Sequence, residues 1–106
     1  MSTDILQIQC AVPDQATGRR IADNLVETRL AACVQLLGPI TSTYIWEGKT
    51  ERSEEYLLLI KTTDRLAVAV EKQIVAMHPY ELPEIIGTRV ELGLKGYLSW
   101  VEAQTL

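Results

Sequence analysis

Two prolines set the tightest constraint in this chain. Pro79 and Pro83 lie in the stretch Met77-His78-Pro79-Tyr80-Glu81-Leu82-Pro83-Glu84-Ile85. Pro79 drives His78 out of helical backbone, so a helix arriving from the N-terminal side stops there. Pro83 has a fixed φ and no N–H, so the segment after it begins extended. The lone histidine of the chain therefore sits at a rigid corner between a helix and a strand.

The remaining elements follow from periodicity. From Ile5 to Val12 the residues Leu6, Ile8, Cys10 and Val12 share one face and Gln7 and Gln9 the other, which predicts a strand with one core face. Asp14 is placed to cap a helix from Ala16 to about Arg29, whose apolar positions Ile21, Ala22, Leu25 and Val26 recur at helical spacing. Cys33 to Trp46 is rich in Val, Ile, Thr and Tyr, and Gly38-Pro39 interrupts it. A proline cannot donate to a ladder, so this is an edge strand with a bulge or bend. Glu47-Gly48-Lys49-Thr50 gives a hairpin turn, and the return strand ends in Tyr56-Leu57-Leu58-Leu59-Ile60-Lys61. That strand is apolar on both faces, so both need cover.

Thr63-Asp64 is expected to cap a second helix with Leu66, Val70 and Ile74 as its stripe. After the corner, Glu84 to Leu92 is expected to form the last strand. Ile86, Thr88, Val90 and Leu92 would share one face, with Gly87 at a bulge. Tyr97, Leu98, Trp100 and Val101 give a short terminal helix.

The order β-α-β-β-α-β plus a terminal helix has one simple solution. It is an α+β, ferredoxin-like sandwich with an antiparallel sheet, one domain over residues 1–106. Right-handed crossovers then end the first strand where the second helix ends and the fourth strand begins. Cys10, Met77 and His78 meet at one edge of the sheet. Cys33 falls at the opposite edge, so an intramolecular Cys10–Cys33 disulfide is not expected, since the Cα atoms would have to approach within about 7 Å.

Thiolate, imidazole and thioether together suit copper better than hard cations. Each residue also has a structural reading: Cys10 as a small core residue, His78 as a helix C-cap, Met77 as packing. Two or three ligands would make a weak site, since structural zinc takes four. Lys61, Tyr80, Glu81 and Glu84, with Cys33 near a subunit boundary, could line a cleft between subunits. Glu81 and Glu84 could there work as an acid/base pair, or simply be a solvated turn and a strand cap.

Composition removes several function classes. The net charge of −4 with dispersed basic residues argues against a nucleic-acid partner. No apolar run is long enough to span a bilayer, and the N-terminus lacks a signal-peptide layout, so the cytoplasm is the expected location. No Ser-His-Asp set and no Gly-rich phosphate loop can be assembled, so no enzyme is expected. The long middle hairpin, with Tyr44, Ile45 and Trp46, overhangs the sheet and calls for self-association in a closed ring.

Five motifs in order carry a resemblance. They are Leu30-Ala31-Ala32-Cys33-Val34, Tyr44-Ile45-Trp46-Glu47-Gly48-Lys49, Leu59-Ile60-Lys61-Thr62, His78-Pro79-Tyr80-Glu81-Leu82-Pro83-Glu84 and Gly96-Tyr97-Leu98-Ser99-Trp100. Together they resemble the CutA family of divalent-cation tolerance proteins. The resemblance implies a ferredoxin-like homotrimer, similar in build to PII-type signalling proteins. It also implies a part in tolerance of divalent metals, with copper or another divalent ion bound at Cys10, Met77 and His78. The rival reading is a signalling or scaffold trimer whose inter-subunit clefts bind a small anion or a protein partner.

Overall fold

The computed structural model describes residues 3–106. The elements run β1 (Ile5–Val12), α1 (Gln15–Glu27), β2 (Cys33–Trp46), β3 (Lys49–Thr63), α2 (Ala67–Met77), β4 (Ile85–Arg89) and α3 (Lys95–Gln104). The strands form one sheet in the order β2-β3-β1-β4 with every neighbouring pair antiparallel. This is the expected ferredoxin-like α+β arrangement.

The main core lies between the sheet and α1 and α2. Leu6, Ile8, Cys10 and Val12 of β1 meet Leu58 and Ile60 of β3, Ile21 and Leu25 of α1, and Val70 and Ile74 of α2. Gly18 lets α1 approach the sheet closely: a Cβ there would stand 2.8 Å from Leu36 Cδ1. Asp14 caps α1 by accepting from the Thr17 amide at 2.7 Å. The other sheet face is covered at one end only, where Val101 of α3 packs with Ile5 and Ala32. Leu57 and Leu59 stay half-buried on that face.

The β2–β3 hairpin turns through Glu47 and Gly48, both with positive φ (50° and 79°). That is the handedness a two-residue hairpin requires. β1 pairs with β3 only over Tyr56–Thr63, so Lys49–Glu55 has β2 as its sole partner. At about 3.3 Å per residue this leaves a two-stranded ribbon projecting on the order of 23 Å. The ladder shifts register between Leu37 and Ile40, at the anticipated Gly38-Pro39 interruption.

Several expectations are corrected. β4 has five residues rather than the nine from Glu84 to Leu92: its ladder with β1 ends at Arg89 opposite Leu6, and beyond it only the Val90 N–H reaches β1, donating to the Ile5 carbonyl at 2.9 Å. The ladder with β1 also decides which face of β4 turns inward. Cys10 pairs with Ile85 and Ile8 with Gly87, so the odd-numbered residues follow the core face and Ile86 is exposed. Gly87 holds regular register with no bulge. The second helix is preceded by a 3₁₀ turn over Asp64–Leu66, and the Thr63 side chain caps nothing. α3 is longer than expected, starting at Lys95.

Leu58 is fully buried and Leu92 is 86% exposed. Leu58→Ala is expected to lower unfolding free energy by about 2–5 kcal/mol. Leu92→Ala should change it by no more than about 0.5 kcal/mol. Urea denaturation, read as a shift in midpoint at constant slope, checks both.

Candidate functional site

The corner forms where α2 ends. His78 is the C-cap residue of α2, with extended backbone (φ −82°, ψ 136°) and its N–H donating to the Ile74 carbonyl. Arg20 reaches across from α1 and donates to the Met77 carbonyl at 3.3 Å. The cation thus lies at the negative end of α2.

The imidazole is 8% exposed and both of its nitrogens are engaged. The Tyr80 amide, which can only donate, reaches Nδ1 at 3.1 Å. Nδ1 is therefore an acceptor, and the proton sits on Nε2, which donates to the Ala11 carbonyl at 2.8 Å. The ring is a neutral brace between the end of β1 and the corner. That differs from a protonated ring on a helix dipole.

Cys10 stands beside it. Its Sγ is 3.7 Å from the same Ala11 carbonyl. The thiol has no solvent exposure, and burial, reinforced by the charges of Glu84 and Glu55, pushes its pKa up to about 12. Met77 packs against the core edge, and its sulfur accepts from Gln73 Nε2 at 3.5 Å. Cys10 and His78 thus share one acceptor. No group of three or more His, Cys, Asp or Glu side chains is arranged to hold a metal ion among the described residues. As arranged, the corner's donors do not fit a resident ion. The thiol is protonated, and each ring nitrogen already has a partner.

Cys10 and Cys33 are both free thiols. Cys33 begins β2 and pairs with Lys61, whose ammonium donates to Gln35 at 2.6 Å. Within one chain, Cys33 and Lys61 lie at the end of the sheet away from Tyr80, Glu81 and Glu84. The latter three line a recess of about 570 Å³. The hairpin contributes Ser42, Thr43, Tyr44, Trp46 and Glu55, and Ala11, Leu82 and the corner close it. Glu84 is held by Gln9, whose Nε2 donates at 3.0 Å. Glu55 was not among the residues singled out from sequence. It is 6% exposed and accepts from the Tyr80 hydroxyl at 2.7 Å. Burial, then that hydrogen bond and the charge of Glu55, holds the Tyr80 phenol well above its usual range. The lining carries three carboxylates and no basic side chain, so the recess within one chain is acidic.

Fold and site together define a small ferredoxin-like α+β protein with a braced helix–strand corner and an acidic recess beside it. The family profile of the CutA1 divalent ion tolerance protein matches residues 6–104. The chain is 42% identical over 100 residues to the divalent-cation tolerance protein CutA of Pectobacterium atrosepticum, covering 94% of this chain and 91% of that one. The crystal structure of CutA from Xylella fastidiosa superposes with a TM-score of 0.94 at 41% identity, covering 96% of this chain and 98% of the other. A structure from Archaeoglobus fulgidus, described as a periplasmic divalent cation tolerance protein CutA, gives a TM-score of 0.92 at 36% identity, covering 94% and 97%. The chain belongs to the CutA1 divalent ion tolerance protein family. Its relatives carry names of tolerance proteins rather than enzymes. No helix among the described residues is long and apolar enough to cross a membrane.

The Cys10 thiol ionises at about pH 9 when unfolded and about 12 when folded. The folded state therefore holds the proton more tightly. The associated stability is complete below pH 9 and is lost as pH rises towards 12. Unfolding free energy measured in urea across this window should fall with pH, and Cys10→Ala should flatten the fall. A slope unchanged by Cys10→Ala would contradict the buried, protonated thiol.

Proposed function

We propose that the protein acts as a homotrimer in tolerance of divalent cations, without catalysing a reaction. The observation that carries the reading is the projecting hairpin. Two-stranded ribbons are marginal in water on their own. This one ends in Ile45, 68% exposed, flanked by exposed Tyr44 and Trp46. A neighbour's sheet would cover those side chains and pair the free edge of β2. A closed ring satisfies every copy equally. The family membership supports the same assembly and role.

In this reading copper or another divalent ion is cargo rather than a built-in centre. At Cys10, Met77 and His78 it would have to displace the thiol proton and take one nitrogen from its hydrogen bond, so affinity is low and falls with acidity. The free thiols suit a reducing compartment, which favours the cytoplasm. Neither a nucleic acid nor a membrane is a partner. An enzyme built on Lys61, Tyr80, Glu81 and Glu84 has less support, because Lys61 pairs with Cys33 at the far end of the sheet.

Light scattering at micromolar concentration should give three times the 11.9 kDa chain mass, and Ile45→Glu should lower it. A wild-type monomer would refute the ring. Calorimetry with copper should give weak binding that Cys10→Ser and His78→Ala both abolish. If both variants bind like the wild type, the corner is not where the ion goes.

A further inference from the structure

Arg29 stands in a backbone conformation that a branched Cα disfavours. It follows Thr28, the C-cap of α1, and has φ 63°. Its N–H donates to the Val26 carbonyl, and the Leu30 and Ala31 N–H groups both donate to the Leu25 carbonyl. Glycine is the usual residue at such a helix end, because a Cβ is crowded there. The arginine side chain is used elsewhere. Its Nε donates at 3.2 Å to the carbonyl of Gln104, the last residue of α3. Its own carbonyl accepts from the Leu106 N–H at 3.0 Å. Arg65, in the 3₁₀ turn before α2, donates from Nη2 to the Leu106 carbonyl. Guanidinium groups from separate elements thus hold the end of α3 and the residues just after it, where helix carbonyls lack partners of their own.

Little else holds α3. Its N-cap residue, Leu94, makes no side-chain hydrogen bond, and a helix of ten residues is marginal in water without tertiary support. Val101 is its one buried side chain, packed with Ile5 and Ala32. Thr63 pairs with Ile5 across the sheet and so shares the face that α3 covers. The Thr63 side chain is fully buried, and its Oγ1 has no hydrogen-bond partner among the described residues. A buried hydroxyl without a partner has lost its hydration for nothing in return. The closed position of α3 therefore carries a cost that water would remove.

We propose that α3 is a lid on this end of the open sheet face, latched by Arg29 and Arg65, and that it opens as a unit while the main core stays folded. Segments held by few buried contacts open at free energies below that of global unfolding. Release at Gln104 and Leu106 leaves α3 tethered through Leu94, at its uncapped end. Opening hydrates the Thr63 hydroxyl and extends the uncovered face from Leu57 and Leu59 to Ile5 and Ala32. The latch accounts for the arginine at a position that α1 alone would give to glycine. The lid stands or falls separately from the metal-ion reading.

Amide hydrogen exchange of the full chain, followed by NMR, reads the lid directly. In the wild type the hydrogen-bonded amides of α3 should exchange at least tenfold faster than those of β1, at rates that share one opening. Arg29→Gly supplies the residue that the end of α1 prefers and removes the latch. It should speed α3 exchange at least tenfold again while β1 exchange stays the same or slows. A role confined to the end of α1 predicts instead that α3 does not respond. Arg65→Ala should also speed α3 alone, and it serves if Arg29→Gly does not fold. Thr63→Val removes the unpartnered hydroxyl at nearly constant shape and should slow α3 exchange. Exchange of α3 in step with β1 in every variant, α3 rates unchanged by both Arg29→Gly and Arg65→Ala, or faster α3 exchange in Thr63→Val would each overturn the proposal. None of these outcomes bears on copper binding.

Discussion

One imidazole holds the functional end of this molecule together. His78 donates from Nε2 to the last turn of backbone in β1 and accepts at Nδ1 from the chain two residues on. Each such bond contributes only about 1 kcal/mol net, but a buried carbonyl or amide left without its partner costs about 1–3 kcal/mol. The brace fixes where α2 stops, where the corner turns and how Tyr80 is aimed. Tyr80 then packs its ring 4.6 Å from the imidazole and places its hydroxyl on Glu55. The recess wall is thus a consequence of the brace.

The broad design was legible in the residue pattern. Alternation in β1, the stripe of α2 and the proline at the corner each have one physical interpretation. Strand order and crossover hand then brought Cys10 and His78 to the same edge. The face of β4 was not legible, because Ile85 and Ile86 are adjacent and equally apolar. Only the ladder with β1 decides between them. Nor was the role of the His78 ring legible: its partners are a backbone carbonyl and a backbone amide, which leave no mark in a sequence. Glu55 was hidden for a related reason. Its hydrogen-bond partner is a tyrosine 25 positions away.

The corner's chemistry is conservative in its resting form. A thiol kept protonated by burial and a ring with both nitrogens engaged form packing and scaffolding, and an ion is admitted there only by exchange. The sites open to solvent are elsewhere in the same region, on the hairpin and in the acidic recess. Membership of the CutA1 divalent ion tolerance protein family sets the biological context. In our proposal the hairpin supplies assembly and the corner rigidity.

The account rests on the protonation pattern of His78, and long-range ¹H–¹⁵N correlation on uniformly labelled protein at neutral pH reads it directly. With one histidine in the chain, assignment needs no variant. A neutral ring with its proton fixed on Nε2 and exchanging slowly with water is the expected spectrum. A proton on Nδ1, or an Nε2 proton exchanging as fast as in free imidazole, would contradict the brace and the corner built on it.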